Sequence, residues 1–526
     1  MRSRFSLVSM ALACVLSAWS YAGASAGDVY HITLVDGARE MPATGRIVLC
    51  FISDEARMLS RTPPMEAPFF ESPQPIASVA VEGFRPGETI EIPGHTLAFT
   101  GTGLGTLDDL EGEFRVQAVL DADQSLRSML EAPGNVVSNI SRITLKRGVA
   151  DDVSIRLVNQ VSPPVERSPA ELDNIHWVEL RSDLLSEHYG RDIVMRAGVA
   201  LPNGYDDPAR KDQRWPVVYI TPGFGGRHFD AVNYASMLKF SLPEFAPQAI
   251  FIMLDPDAPL GHHGFVDSPN LGPRGTALVK EFIPHLKSKF RITEKIEGRL
   301  LYGHSSGAWT SLWLQLNWPE EFGGCWVSAP DPIDFRHFQL TDIYREPSMF
   351  VNAEGEETAS YREVGYFNES TVVMTIRQEN AMELAIDPNG RSGQQWDAWE
   401  AMFGPKDPET GLPVPMFDAR TGEIDREVVL GHWSKFDITR LVVENWERYG
   451  DIVRKRIRIA CGMQDSFYLN HAVESFQREV EALMEAHGTE WDGGWVWMVN
   501  NATHKNIVEM STLRIHQEMI KHLQQH

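Results

Sequence analysis

The chain has 526 residues, 43% of them hydrophobic and 23% charged, with a formal net charge of −24. That length exceeds one ordinary domain and points to two or three, and the composition excludes wholesale disorder. The acidity argues against nucleic acid and anionic membrane surfaces as partners and fits a protein acting on neutral or cationic ligands.

Residues 1–26 read as an export signal. Arg2 and Arg4 form a basic start, Phe5 to Trp19 is apolar, and Ala24-Ser25-Ala26 is a small-x-small cleavage site. The mature chain then begins at Gly27, carries −26, and is periplasmic or secreted. The apolar run is short for a membrane span and no later segment supplies one, so no stable membrane insertion is expected. Cys50, Cys325 and Cys461 remain, too few for a disulfide framework, and the last two sit in strand-like runs as buried thiols. There is no C-x-x-C pair and no H-E-x-x-H, so neither a metal nor a cofactor is expected.

Residues 27–160 show period-two alternation in several short runs: Tyr30 to Val35, Arg46 to Ile52, Gly112 to Leu120, Ser141 to Lys146 and Asp152 to Val158. Turn signals such as Pro86-Gly87 and Pro133-Gly134 separate them. The pattern predicts an all-β sandwich, immunoglobulin-like, that serves as a packing or spacer module or as a carbohydrate binder. Clustered prolines make residues 161–170 the linker.

From residue 171 to 526 strands and helices alternate, which predicts a mostly parallel sheet covered by helices. Trp215 to Ile220, Gln248 to Leu254, Arg299 to Tyr302, Gly324 to Ser328, Arg456 to Cys461 and Trp495 to Val499 read as buried strands. Thr276 to Phe290, Asn470 to His487 and Val508 to Leu523 read as helices. One polar, turn-rich block, residues 331–436, interrupts the rhythm between two strands. There it either overhangs the ligand-binding edge as a lid or cap, or elaborates the surface elsewhere.

The chemistry begins at Gly303-His304-Ser305-Ser306-Gly307, a G-x-S-x-G motif between a strand and a helix. In that setting Ser305 sits on a tight turn with its Oγ clear of the backbone, and side chains at 303 and 307 would collide with neighbouring elements. A serine hydroxyl needs a histidine base, and the base needs an acid to fix its tautomer. In doubly wound hydrolases these follow in the order serine, acid, histidine. Asp465 follows the strand ending at Cys461, with Asp331 and Asp334 as fallbacks, and His504 follows the last strand. His516, His522 and His526 are weaker rivals. The oxyanion donors are the Ser306 N–H and, from the turn Pro222-Gly223-Phe224-Gly225-Gly226, the Phe224 N–H or that of Gly225. His262 to Ser268 should rim the same edge, with His263 and Phe265 as substrate contacts or a His-His-Asp metal site, although its spacing matches no standard ligand set. Trp396 and Trp399 are placed to stack on a sugar or aromatic acyl group, or in a core at helical spacing.

These three stretches together, Pro222 to Gly226, Gly303 to Gly307, and Gly462-Met463-Gln464-Asp465 with His504, resemble the putative-esterase family of α/β-hydrolases, which includes esterase D, feruloyl and acetylxylan esterases, enterochelin esterases and mycolyltransferases. The resemblance covers residues 171–526, and members often carry an N-terminal β-sandwich. Many relatives have His-Gly at the start of the oxyanion turn, where this chain has Pro222. The resemblance implies an α/β-hydrolase fold and a cofactor-free serine esterase for small-molecule or carbohydrate esters, with acetyl or feruloyl groups as the first expectation. An acyltransferase, a siderophore-ester hydrolase, a peptidase and a non-catalytic binding protein of the same fold are the alternatives.

Overall fold

The computed structural model describes residues 27–123, 125–147, 151–163, 170–242, 244–365 and 369–526. The export signal read at 1–26 and most of the proline-rich linker fall outside those residues.

Residues 27–160 carry β1 (Val29–Leu34), β2 (Ala43–Ser53), β3 (Ile76–Phe84), β4 (Thr89–Pro93), β5 (Leu97–Phe99), β6 (Leu104–Thr106), β7 (Gly112–Asp121), β8 (Val136–Ser138), β9 (Ser141–Leu145) and β10 (Asp152–Gln160). Hydrogen bonds join them into one sheet of order β4-β1-β10-β8-β7-β2-β3-β5-β6, with β9 also on β7. The two facing sheets of an immunoglobulin-like sandwich are therefore not separated here. The cause lies in the long strands: β2 pairs with β3 on one side and β7 on the other, and β7 divides its free edge between β8 and β9. Ile92 of β4 and Ala98 of β5 lie near opposite ends of that order yet share a core with Tyr30 and Phe51, so the sheet curls round one apolar interior.

The second sheet has eight strands: β11 (Ile175–Arg181), β12 (Val194–Ala200), β13 (Val217–Thr221), β14 (Ile250–Leu254), β15 (Arg299–His304), β16 (Gly324–Ser328), β19 (Ile457–Gly462) and β20 (Trp495–Val499). The intervening β17 (Ala359–Val364) and β18 (Ser370–Thr375) form a separate hairpin. The order is β11-β12-β14-β13-β15-β16-β19-β20. β11 and β12 run antiparallel and the strands from β14 to β20 run parallel. The central strands are buried throughout, as strands covered on both faces must be. Adjacent side chains go to opposite layers. Val218 meets α1 (Ala231–Phe240) and α6 (Ile507–Gln525), whereas Tyr219 joins the layer of α2 (Ser306–Asn317) and α5 (Asn470–Ala486). This is the α/β-hydrolase fold.

The block after β16 holds the β17–β18 hairpin, α3 (Ile376–Ile386) and α4 (Gln395–Phe403). Its Trp396 and Trp433 are buried in the same core as the sheet. On its other side α3 packs on the N-terminal domain, where Met374, Ala381 and Met382 share a small core with Phe99, Phe69 and Phe70. Hydrogen bonds seal this contact: Arg46 Nε and Ser78 Oγ both donate to the Ile386 carbonyl, at 3.0 and 2.6 Å. A buried guanidinium without partners would be costly, so these bonds are what permit Arg46 to lie inside the interface.

Candidate active site

Ser305 lies between β15 and α2 with φ 57° and ψ −128°, a conformation that L-residues avoid. Close packing holds it there. A Cβ on Gly303 would lie 2.2 Å from the Gly307 carbonyl oxygen, and one on Gly307 would lie 1.9 Å from that of Thr221. Only glycine lets α2 pass this close to β13 and β15. The turn after β13 reaches the serine directly, since a Cβ on Gly223 would be 3.3 Å from that of Ser305.

His504 follows β20, and its Nδ1 donates to Asp465 Oδ2 at 2.8 Å. Asp465 is completely buried, and its Oδ1 accepts the N–H groups of Phe467 at 2.9 Å and Leu469 at 3.3 Å. Burial works to raise the Asp465 carboxyl, but the charge and hydrogen bond of His504 and the two backbone donors outweigh it and hold the pKa below its usual value. For His504, burial favours the neutral ring, yet the Asp465 carboxylate and the more distant Asp331 bring its pKa above the ordinary 6.5. A carboxylate can only accept, so the bond to Asp465 assigns the proton to Nδ1 and leaves Nε2 as the basic nitrogen. The neighbouring ring of His304, 4.6 Å from that of His504, is pushed down to about 3 by burial and by the His504 charge. It is neutral at working pH and adds no positive charge beside the base.

Ser305 and His504 border one cavity of about 320 Å³, together with Phe224 and Trp399. The Ser305 hydroxyl donates to Asp331 Oδ1 at 3.4 Å. The other oxygen of Asp331 accepts Ser306 Oγ at 2.6 Å and Trp399 Nε1 at 3.0 Å. Burial raises the Asp331 carboxyl despite these donors. The insertion supplies the rest of the ceiling: Gln339, Glu379 and Gln395. Glu379 is paired with Ser360, and burial pushes it up to about 7. Gln339 has φ 56°, and its buried Oε1 has no hydrogen-bond partner among the described residues.

The predicted residues divide clearly. Ser305, Asp465, His504, Phe224 and Ser306 converge, whereas Gly225, with φ 82°, does not border the cavity. Trp399 reaches the cavity through Asp331, whereas Trp396 is turned into the core against Phe338 and Phe417. His263 and Phe265 do not reach the cavity. Phe265 is 1% exposed in the main core, and His263 Nδ1 is used to accept the Phe265 N–H. Their loop is folded inward under the insertion, where Gly264 touches Met402. Both His262 nitrogens are also committed: Nδ1 accepts the Gly264 N–H, and Nε2 donates to the Pro222 carbonyl at 3.0 Å. His262 thus braces the turn from Pro222 to Gly226, where Pro222 offers no side-chain donor. The fallback Asp334 is tied to Arg336, and His516 and His522 bond to the carbonyls of Phe245 and Glu297.

Three contributors carry no local sequence signal. Arg127, from the N-terminal domain, lies 5.0 Å over the Phe224 ring and 3.7 Å from Asp257. Phe70, from the same domain, borders the cavity and meets Phe467 edge-on at 5.0 Å. Arg362 of β17 donates to the Asp465 carbonyl at 3.0 Å and so clamps the loop that holds the acid. The arrangement can activate a hydroxyl, stabilise a developing oxyanion beside Phe224 and Ser306, and return a proton to a leaving group.

Comparison with known proteins gives the family. The family model described as "Putative esterase" matches residues 186–490, more than half of the chain. No curated protein matches. Among solved structures, a ferulic acid esterase is similar at 14% identity, covering 66% of this chain and 97% of its own, with a TM-score of 0.41. An S-formylglutathione hydrolase from Agrobacterium tumefaciens is similar at 13% identity, covering 66% and 95%, with a TM-score of 0.35. A ferulic acid esterase from Anaeromyces mucronatus is similar at 14% identity, covering 68% and 95%, with a TM-score of 0.33. The chain belongs to the putative-esterase family and is a serine ester hydrolase.

Proposed function

We propose that the chain is an exported carboxylic-ester hydrolase working through Ser305, His504 and Asp465, with acetyl or feruloyl esters of carbohydrates as its first expected substrates. Ser305 Oγ attacks the ester carbonyl as its proton passes to His504 Nε2. The oxyanion is held by the N–H groups of Phe224 and Ser306. His504 then gives its proton to the departing alcohol as the C–O bond breaks. Water repeats the sequence on the acyl-enzyme and releases the acid. Asp465 keeps the proton on Nδ1 and steadies the imidazolium. The observation that carries this reading is the strained Ser305 in one cavity with a histidine already bonded to a buried aspartate.

The insertion serves as a fixed roof rather than a swinging lid, because its tryptophans are embedded in the catalytic core. The carbohydrate part of the proposal draws on the resemblance of the three motif stretches to a family that includes feruloyl and acetylxylan esterases. The test is hydrolysis of p-nitrophenyl esters from acetate to octanoate by the wild type and Ser305→Ala. Wild-type turnover that vanishes in the variant is the expected result, and the chain-length optimum sizes the acyl pocket. Turnover that survives in Ser305→Ala would overturn the assignment.

A further inference from the structure

Beyond His504 the structure opens a second cavity of about 660 Å³. It shares Phe70, His304, Phe467 and His504 with the inner cavity, but Ser305 and Phe224 border only the inner one. We propose that this outer cavity is the leaving-group subsite, that the N-terminal domain builds a third of it through Pro68, Phe69, Phe70 and Glu71, and that it takes an alcohol whose body is a ring with a flat apolar face. The proposal rests on the roles given above to Ser305 and His504.

The direction follows from the chemistry. The base that takes the serine proton must hand it to the departing alcohol oxygen, so the alcohol lies on the histidine side of the scissile bond. The inner cavity, enclosed beside the serine, then holds the acyl group. The outer one lies where the alcohol must go.

The walls define what fits. Aromatic rings run without a break from the N-terminal domain to the base. Phe69 and Phe70 are 5.0 Å apart, Phe70 and Phe467 are 5.0 Å apart edge-on, and Phe467 meets His504 at 4.9 Å. Tyr361 of the insertion closes the row at 5.0 Å from Phe467. The rim is charged, with Lys505 and Glu71 3.7 Å apart across the domain boundary. Aromatic faces inside and charges outside suit a ring that stacks through its face and keeps polar groups at its edge. Sugars and aromatic alcohols both offer such a face. The wall is set before substrate arrives, because Phe69, Phe70 and Tyr361 pack with Phe99, Met374 and Met382 in the core between domains. Ordering it on binding costs little.

The test holds the acyl group constant and changes the alcohol: ethyl acetate, benzyl acetate and a mono-acetylated xyloside, with wild type, Phe70→Ala, Phe70→Trp and Ser305→Ala, all as the full chain. In Phe70→Ala the kcat/KM ratio of a ring ester to ethyl acetate should fall about tenfold, the scale of one lost aromatic contact. Phe70→Trp should restore most of it. Loss of preference for benzyl acetate alone identifies an aromatic alcohol, and loss for the xyloside alone identifies a sugar. An equal fall for all three esters, or a ratio that does not move, would overturn the subsite while an inactive Ser305→Ala left the serine mechanism standing. Activity that persists in Ser305→Ala would remove both.

Discussion

The two sides of the catalytic cavity are held by different forces. The side that carries Ser305, Asp465 and His504 is fixed by backbone sterics and buried charge: glycines that admit no Cβ, and a carboxylate satisfied by one imidazole and two amides. The facing side, with Phe70, Arg127, Gln339 and Trp399, is assembled from three distant stretches by side-chain packing. In the proposed mechanism the first arrangement, which leaves no room for added atoms, serves the bond-making step. The second can be varied by degrees and governs what is brought to that step.

Breaking the first side should have the larger consequence. Asp465→Asn leaves the shape intact but offers His504 a donor where it needs an acceptor, and kcat should fall by about 10³- to 10⁴-fold. Steady-state rates on p-nitrophenyl acetate measure this, and a fall of less than about tenfold would show that Asp331 takes over the acid role.

The second side should answer more gently. Arg127→Ala removes the guanidinium over Phe224 and should lower kcat about fivefold, the scale of one partly buried cation–π contact. Arg127→Lys should recover part of it. Equal rates in all three proteins would mean that the oxyanion turn is held by His262 alone.

Asp331 lies where the two sides meet, and its effect should appear in the pH profile more than in the rate. In the proposed mechanism His504 works as a base when neutral, so kcat/KM should be lost as pH falls through its raised pKa. Asp331 contributes to that rise, and Asp331→Asn should move the acid limb to lower pH. A limb that stays in place would show that the Asp331 charge is not felt at the imidazole, as expected if burial keeps it protonated.

The same division decides what the sequence discloses. The elbow is legible because its glycines, serine and flanking strand are neighbours in the chain. The places of Asp465 and His504 are legible because strand ends in an alternating β/α sequence share one edge of the sheet. Phe70, Arg127 and Arg362 were not legible, since each acts across a domain or insertion boundary and none has a periodic or motif context. His263 and Phe265 show the opposite error. Their position after a strand points to the active edge, but the loop turns inward beneath the insertion and its histidine rings are spent on backbone groups. In the sequence Asp331 offers only a fallback acid, because its bonds to Ser305, Ser306 and Trp399 depend on how the insertion folds back over β16. In the N-terminal domain, alternation marks the long strands but cannot mark three-residue ones such as β5, β6 and β8.

The seal at Ile386 also bears on how the protein is made. Arg46 and the carbonyl that receives it are 340 residues apart in sequence. A ribosome delivers the N-terminal domain long before the helix that covers it. Until that helix emerges, Phe69, Phe70 and Phe99 lack the Met374, Ala381 and Met382 side chains that cover them in the finished protein. The nascent chain thus passes through a period of exposure to self-association, which a holding chaperone would shorten and a truncation before residue 386 would make permanent.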